Sequence, residues 1–324
     1  MEERSLKDKI TTSTVTLFVA GILAAFLWLQ TGLPVLTKSF DLRGEEWANI
    51  GGFFSTLLIM ASLRHMSNGN ALMRVRTWMV PSVFLIMSGA IFSLHALKPV
   101  QTGVFLYAFS QYYLLKSYQE YHAERFIVVS FIFLGAASIF YPPLVYLSVL
   151  YLVSMLVQLR AFMPRTILAG IFGLIVPIEF YVVFLFLTGN PNQIFNYFDG
   201  IFKIENLVIP KWTLVQMVNL GFVIVPFLIG CIHYAHTNFN DKIRTRMYFY
   251  VIILQTAGLL VLLALHPLNY NELLPFIVME CSPVVGHYLV FSRGKVGDIF
   301  FILIILLTLA VASFNIWATS LHYS

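Results

Sequence analysis

The chain has 324 residues, of which 59% are hydrophobic and 11% charged, with a mean hydropathy of +0.82 and a net charge of +5. Soluble globular chains carry about 25% charged residues, so this composition excludes a soluble enzyme or binding domain and points to an integral membrane protein. Repeated apolar windows of about 20 residues suit helices and exclude a β-barrel, whose strands alternate over about ten; the positive charge lies in short clusters between the windows and is no nucleic-acid footprint.

The charged segment 1–10 is read as a short cytoplasmic tail. The apolar run 11–33 exceeds the signal-peptide core of about 7 to 15 residues, so it is read as a signal anchor and first span, with no cleavage. An acidic loop, KSFDLRGEE (38–46), leads to a second span over 47–63. RHMSNGNALMRVR follows as a basic loop, then a third span over 77–94 with Pro81 in its first turn, where a missing N–H is tolerated. Residues 95–99 turn the chain, a fourth span covers 100–115, and KSYQEYHAER returns it to the basic side. The block 126–159 is one overlong helix or two short ones. Tyr141-Pro142-Pro143 favours two, because consecutive prolines remove two donors and push the preceding residue out of the helical region. Each leg is then about 16 residues, short for a full crossing.

The seventh span, 166–187, holds Glu179 two residues after Pro177, with Thr166, Gly170 and Gly173 on the opposite face. A carboxylate at bilayer depth costs several kcal/mol unless it is protonated, paired or wetted. Two readings stand: a neutral acid bonded between helices, or a proton, ion or substrate site. The small residues opposite suit close helix packing. The longest outer loop, 188–212, contains QIFNYFDGIFKI, amphipathic enough for an interfacial helix. The remaining spans are 213–235, 247–265, 276–291 and 299–317. Fifteen of the 20 lysines and arginines fall in loops assigned inside and five outside, which orients the protein by the positive-inside rule. The expected fold is thus an all-α, polytopic transmembrane helical bundle of about 11 spans, a single membrane domain over 1–324. Its N-terminus is cytoplasmic and its C-terminus outside.

Candidate functional residues follow from this layout. Glu280 and His287 are seven apart in the tenth span, hence near one helix face, and suit a proton relay or a headgroup site; equally, Glu280 lies about one turn from the outer interface and is simply wet. Asn219 and His233 form a polar stripe suited to interhelical hydrogen bonds. Asp41, Glu45 and Glu46 with Arg43 are either an ordinary polar loop or carboxylates for base chemistry beside a phosphate-binding cation. Lys98, Lys203 and Lys211, with His95 and His266, are outer groups able to face an anionic headgroup. Cys231 and Cys281 show no metal spacing and are expected near opposite membrane faces, too far apart for a disulfide. No Walker loop, HExxH pair or nucleophile elbow is present in the sequence, which leaves the cofactor unknown.

RFIVVSFIFLGAASIFYPP (125–143) and AGIFGLIVPIEFYVVFLFLTG (169–189) resemble a family of polytopic inner-membrane proteins of Gram-negative bacteria without an established activity. That resemblance implies location and topology, the bacterial inner membrane, and transfers no catalytic residue. A looser likeness in layout is to polyprenyl-phosphate-dependent glycosyltransferases of the GT-C type: an acidic first outer loop, a substantial loop after span seven and an odd number of spans. It implies a transferase of envelope glycans at the outer face, with a polyprenyl-phosphate-linked or other envelope lipid as partner. Asp41, Glu45 or Glu46 would be base or metal ligand, and Arg43, Lys203 or Lys211 would hold the lipid phosphate. The first loop departs from that pattern, being too short for the two juxtamembrane helices usual there. Two further function classes stand beside it: a secondary transporter or flippase using Glu179, Glu280 and His287, and a non-catalytic membrane scaffold.

Overall fold

The structure, a computed structural model, describes residues 15–36, 45–75, 77–202, 212–292 and 294–322. Within them lie twelve α-helices and four short 3-10 helices. In chain order these are α1 (Val15–Leu36), α2 (Glu45–Gly69), α3 (Met79–Ala90), α4 (Pro99–Lys116), α5 (Ala123–Phe140) and α6 (Leu147–Val157). They continue with α7 (Pro164–Leu187), α8 (Asn192–Phe202), α9 (Leu214–Thr237), α10 (Ile243–Leu265), α11 (Tyr270–Phe291) and α12 (Gly294–His322). Among the described residues six segments are long and apolar enough to cross a membrane: Ala123–Phe140, Pro164–Leu187, Leu214–Asn240, Ile243–Leu265, Pro267–Phe291 and Gly297–Ala318. Shorter apolar stretches cover Val15–Trp28, Met79–Ala90 and Pro142–Val157. This is the architecture of a multi-pass membrane protein.

The bundle is organised around α11. Residues 273–289 are all buried, enclosed by α3, α4, α9 and α10. A helix apolar on every side belongs in the centre, and only α11 among the six spans is buried along almost its whole length. The first helix leans on α3, and α12 closes the same side against α9 and α3. At the periphery α7 packs chiefly on α5. Thr166, Gly170, Gly173 and Pro177 form its buried seam, the small-residue contact expected from the sequence.

The basic connections converge at one end. Arg74 Nη1 donates to the Asn240 carbonyl at 3.2 Å, Gln119 N to the Leu159 carbonyl at 3.2 Å, and the Tyr118 and Tyr248 rings meet at 5.9 Å. At the other end Leu97 N donates to the Ala48 carbonyl at 2.7 Å, and Trp212 Nε1 to the Pro267 carbonyl at 3.1 Å.

The proline break falls where the sequence places it. Tyr141 is extended (φ −144°, ψ 94°), Pro142–Tyr146 form a 3-10 turn, and α6 adds only 11 residues, about 16 Å of helix and too little to cross alone. The short amphipathic helix is also present as α8, with Tyr197 and Ile201 buried and Phe195, Phe198 and Phe202 exposed. Two expectations are corrected. The second helix continues through Arg64 to Gly69. The third span, expected over 77–94, is helical only to Ala90, with Ile91 extended. Side chains from elsewhere take over the carbonyls this break releases. Asn315 Nδ2 donates to Ala90 O at 2.8 Å, His95 Nε2 to Gly89 O at 3.0 Å, and Gln101 Nε2 to Leu94 O at 2.9 Å. Irregular backbone is tolerated in a membrane bundle when protein satisfies it in this way.

Candidate functional site

Glu280 is the eleventh of the 22 residues of α11, about 15 Å from either end. The expected start of this span at 276 is corrected, because the helix begins at Tyr270 and runs through Pro275. The side chain is buried rather than wet.

Around it the neighbouring helices supply uncharged polar groups. Tyr107 and Gln111, one turn apart on α4, stand beside the Glu280 carboxyl and act on it, and the Gln111 amide donates to Tyr107 Oη at 2.8 Å. Tyr107 also acts on Tyr151 of α6, whose hydroxyl lies 2.9 Å from Ser110 Oγ. Ser110 Oγ donates to the Ser130 carbonyl of α5 at 2.8 Å, and Ser130 Oγ returns a bond to the Ser110 carbonyl at 2.8 Å. The result is a buried polar chain, Glu280–Tyr107–Tyr151–Ser110–Ser130, crossing four helices. Among the described residues Glu280 Oε1, Gln111 Oε1 and Gln255 Oε1 are buried with no hydrogen-bond partner. Unmet acceptors in an apolar interior are costly, which sets these three oxygens apart from the satisfied polar groups around them.

Seven residues further along α11, His287 meets the basic end. Its Nε2 lies 3.1 Å from Asp241 Oδ2, and Asp241 Oδ1 lies 2.6 Å from Arg74 Nε. The Asp241 side chain is fully buried, as is nearly all of His287. The rings of Tyr234, Phe249 and Phe291 enclose the imidazole with centroids 4.6 to 4.9 Å away. With Asp241 accepting the Nε2 proton, the lone pair sits on Nδ1, which has no partner among the described residues. The dyad can hold and pass a proton. Its two halves are 46 residues apart.

Other candidates fall elsewhere. Asn219 is a structural hydrogen-bond acceptor for Asn315 Nδ2 at 2.9 Å, the interhelical role expected of that stripe. His233 packs edge-on to Tyr288 at 4.7 Å. Lys98 donates to the Ser93 carbonyl at 3.3 Å at the end opposite the basic loops. His95, in the same connection, stacks on Trp28 at 3.7 Å, and burial pushes its imidazole down to about 3. Glu179 is exposed on the outside of α7, and Phe180, Val183, Phe184, Phe186 and Leu187 beyond it are exposed too. It does not join Glu280. Asp41, Arg43, Lys203 and Lys211 lie outside the described residues, and of Glu45 and Glu46 only the backbone is described. Cys231 and Cys281 are free thiols. They are within electrostatic reach of one another instead of at opposite faces, because the early start of α11 sets Cys281 at mid-helix.

Sequence reasoning missed Tyr107, Gln111, Tyr151, Arg74 and Asp241. A signal for the first two was present: Gln101, Tyr107, Ser110 and Gln111 place polar groups at helical spacing in an otherwise apolar span. Among the described residues no group of His, Cys, Asp and Glu is arranged to hold a metal ion. Against known proteins, neither family models, curated proteins nor solved structures give a match to this chain.

Proposed function

We propose that the protein is a secondary transporter or flippase in which Glu280 is the proton-binding site. The observation that carries this reading is the carboxyl buried at mid-depth of the central helix, beside the polar side chains of Tyr107 and Gln111, with Oε1 unmet among the described residues. An ionisable group inside a membrane bundle is retained for ion or proton pathways more often than for packing. Glu280, its hydroxyl chain and the His287–Asp241 dyad supply proton-holding groups from the middle to the basic end. In the bilayer, taken as the bacterial inner membrane, the basic end faces the cytoplasm, the N-terminus is inside, the C-terminus outside, and the chain crosses about eleven times. Convergence of the basic loops supports that orientation. The transferase reading rests on Asp41, Arg43, Glu45, Glu46, Lys203 and Lys211, and nothing within the described residues favours it over transport.

The test uses proteoliposomes loaded with a pH-sensitive dye. A panel of small anions and envelope lipids is added, and proton movement is followed for wild type and Glu280→Gln. Solute-driven proton movement that drops at least tenfold in the variant, with its fold intact, supports the reading. Equal movement in both would remove Glu280 from the mechanism.

The scaffold reading has one observation in its favour, the outward Glu179. The helix continues for eight residues beyond it, about 12 Å, so lipid is a poor environment for that carboxyl and a partner helix a better one. Copurification of a stoichiometric partner lost in Glu179→Leu would establish it; an unchanged complex would refute it.

A further inference from the structure

A cavity of about 370 Å³ opens at the basic end, lined by Arg74, Val75, His233, Thr237, Asn240 and Phe291. Its volume lies in the range of small-ligand sites, about 300–1,000 Å³. One wall is a positioned guanidinium. Arg74 Nε faces Asp241 Oδ1 at 2.6 Å, Nη1 donates to the Asn240 carbonyl at 3.2 Å, and Cζ stands 4.4 Å above the Phe291 ring. A guanidinium carries five N–H donors in a planar fork, and among the described residues one of them is taken by a hydrogen bond, to Asn240. The counter-charge lies behind it: the Asp241 side chain is fully buried, while that of Arg74 is 34% exposed. An incoming anion therefore meets the arginine, not the carboxylate. Lys242, Arg244 and Arg246 follow Asp241 directly in the chain, and Arg246 acts electrostatically on Tyr234, which packs on His287. Held planar over a ring with free N–H groups, an arginine suits the tetrahedral oxygens of phosphate better than a halide or a neutral solute.

We propose that this cavity binds a phosphate-type anion on Arg74, either free in solution or as the headgroup of a lipid. A second feature fits the lipid source. An apolar groove of about 560 Å³ runs between α1, α3, α11 and α12, lined by Val15, Val19, Met79, Val83, Leu289 and Phe301 among others. These residues lie at the ends of their helices nearest the basic loops, so the groove offers an acyl chain a place close to the headgroup site. The binding site does not depend on Glu280 carrying a proton, and its test leaves Glu280 untouched.

The experiment is calorimetric titration of the detergent-solubilised full-length protein with three probes: inorganic phosphate, dihexanoyl-phosphatidylglycerol and dihexanoyl-glycerol. Each is repeated on Val75→Glu, which sets a carboxylate in the cavity wall and leaves the Arg74–Asp241 pair in place. Saturable binding of phosphate or of the phospholipid, weakened at least tenfold in Val75→Glu while its melting temperature is kept, supports the site. Phosphate binding on its own identifies a soluble anion as sufficient, and binding of the phospholipid alone identifies a headgroup with its chains. Should Val75→Glu fail to fold, Asn240→Asp brings the same charge to another wall, with the same expected loss. The proposal is overturned if neither phosphate probe saturates at millimolar concentration, if the phosphate-free lipid binds equally well, or if a folded charged variant binds as wild type does.

Discussion

The seam between α5 and α7 allows a graded test of how the bundle is held together. A Cβ added at Gly173 would lie 2.5 Å from the Val128 carbonyl oxygen and 3.0 Å from Phe131 Cβ, whereas ordinary contact begins at 3.4 Å. The obstruction at Val128 is backbone, so no side chain can swing aside and the helices must separate by something on the order of 1 Å. Overpacking of this kind costs about 1–3 kcal/mol, set against about 1 kcal/mol that alanine gains over glycine inside a helix. At Gly170 the new methyl meets only the Phe131 ring at 3.3 Å, and at Gly221 of α9 it meets nothing within 4 Å. Gly173→Ala should therefore be destabilised by up to about 2 kcal/mol, Gly170→Ala should be near neutral, and Gly221→Ala should gain about 0.5–1 kcal/mol. Reversible denaturant titration in mixed micelles, followed by circular dichroism, reads all three. If Gly173→Ala matched Gly221→Ala, the close approach of α5 and α7 would be refuted.

Two further predictions concern the end opposite the basic loops. Asn315→Leu leaves Ala90 O and Asn219 Oδ1 without the donor they have at 2.8 and 2.9 Å. Buried acceptors so orphaned cost about 1–3 kcal/mol, measurable in the same titration, and Asn219→Leu combined with it should cost less than the two separately. The His95 imidazole titrates near 3 in the folded protein against 6.5 for the free side chain. Between those values the unfolded chain binds the extra proton, so stability is full above about pH 6.5 and falls as the pH drops, by up to about 1.4 kcal/mol per pH unit from this group. His95→Gln should flatten that acid-side slope in a melting series from pH 7.5 to 5; an unchanged slope would clear His95 of responsibility.

Much of the helical layout was legible because it is written locally. Consecutive prolines at 142 and 143 stop a helix whatever surrounds them, and the glycines of α7 mark the close-packed face by their size. The short α3 was not legible, since hydropathy cannot register a break whose carbonyls are satisfied by Asn315, 225 residues away from Ala90. The orientation of Glu179 was hidden for a related reason. In lipid both the packed and the outward face of a helix are apolar, so periodicity does not separate them as it does in water. Glu280 was visible as an acid in an apolar run, but its depth hung on where α11 begins. The span was expected from 276, yet the helix begins six residues earlier at Tyr270. The Arg74–Asp241–His287 cluster joins three distant segments, and each residue alone reads as ordinary loop or helix polarity.

The central claim is that Glu280 binds and releases a proton inside the bundle. Infrared difference spectroscopy of the protein in lipid, titrated with pH, observes this directly through the carbonyl stretch of a protonated carboxyl group. The account predicts a titrating band that disappears in Glu280→Gln and shifts in frequency in Tyr107→Phe, which removes a polar hydroxyl from beside the carboxyl. A spectrum in which Glu280→Gln leaves every titrating carboxyl band unchanged would contradict it.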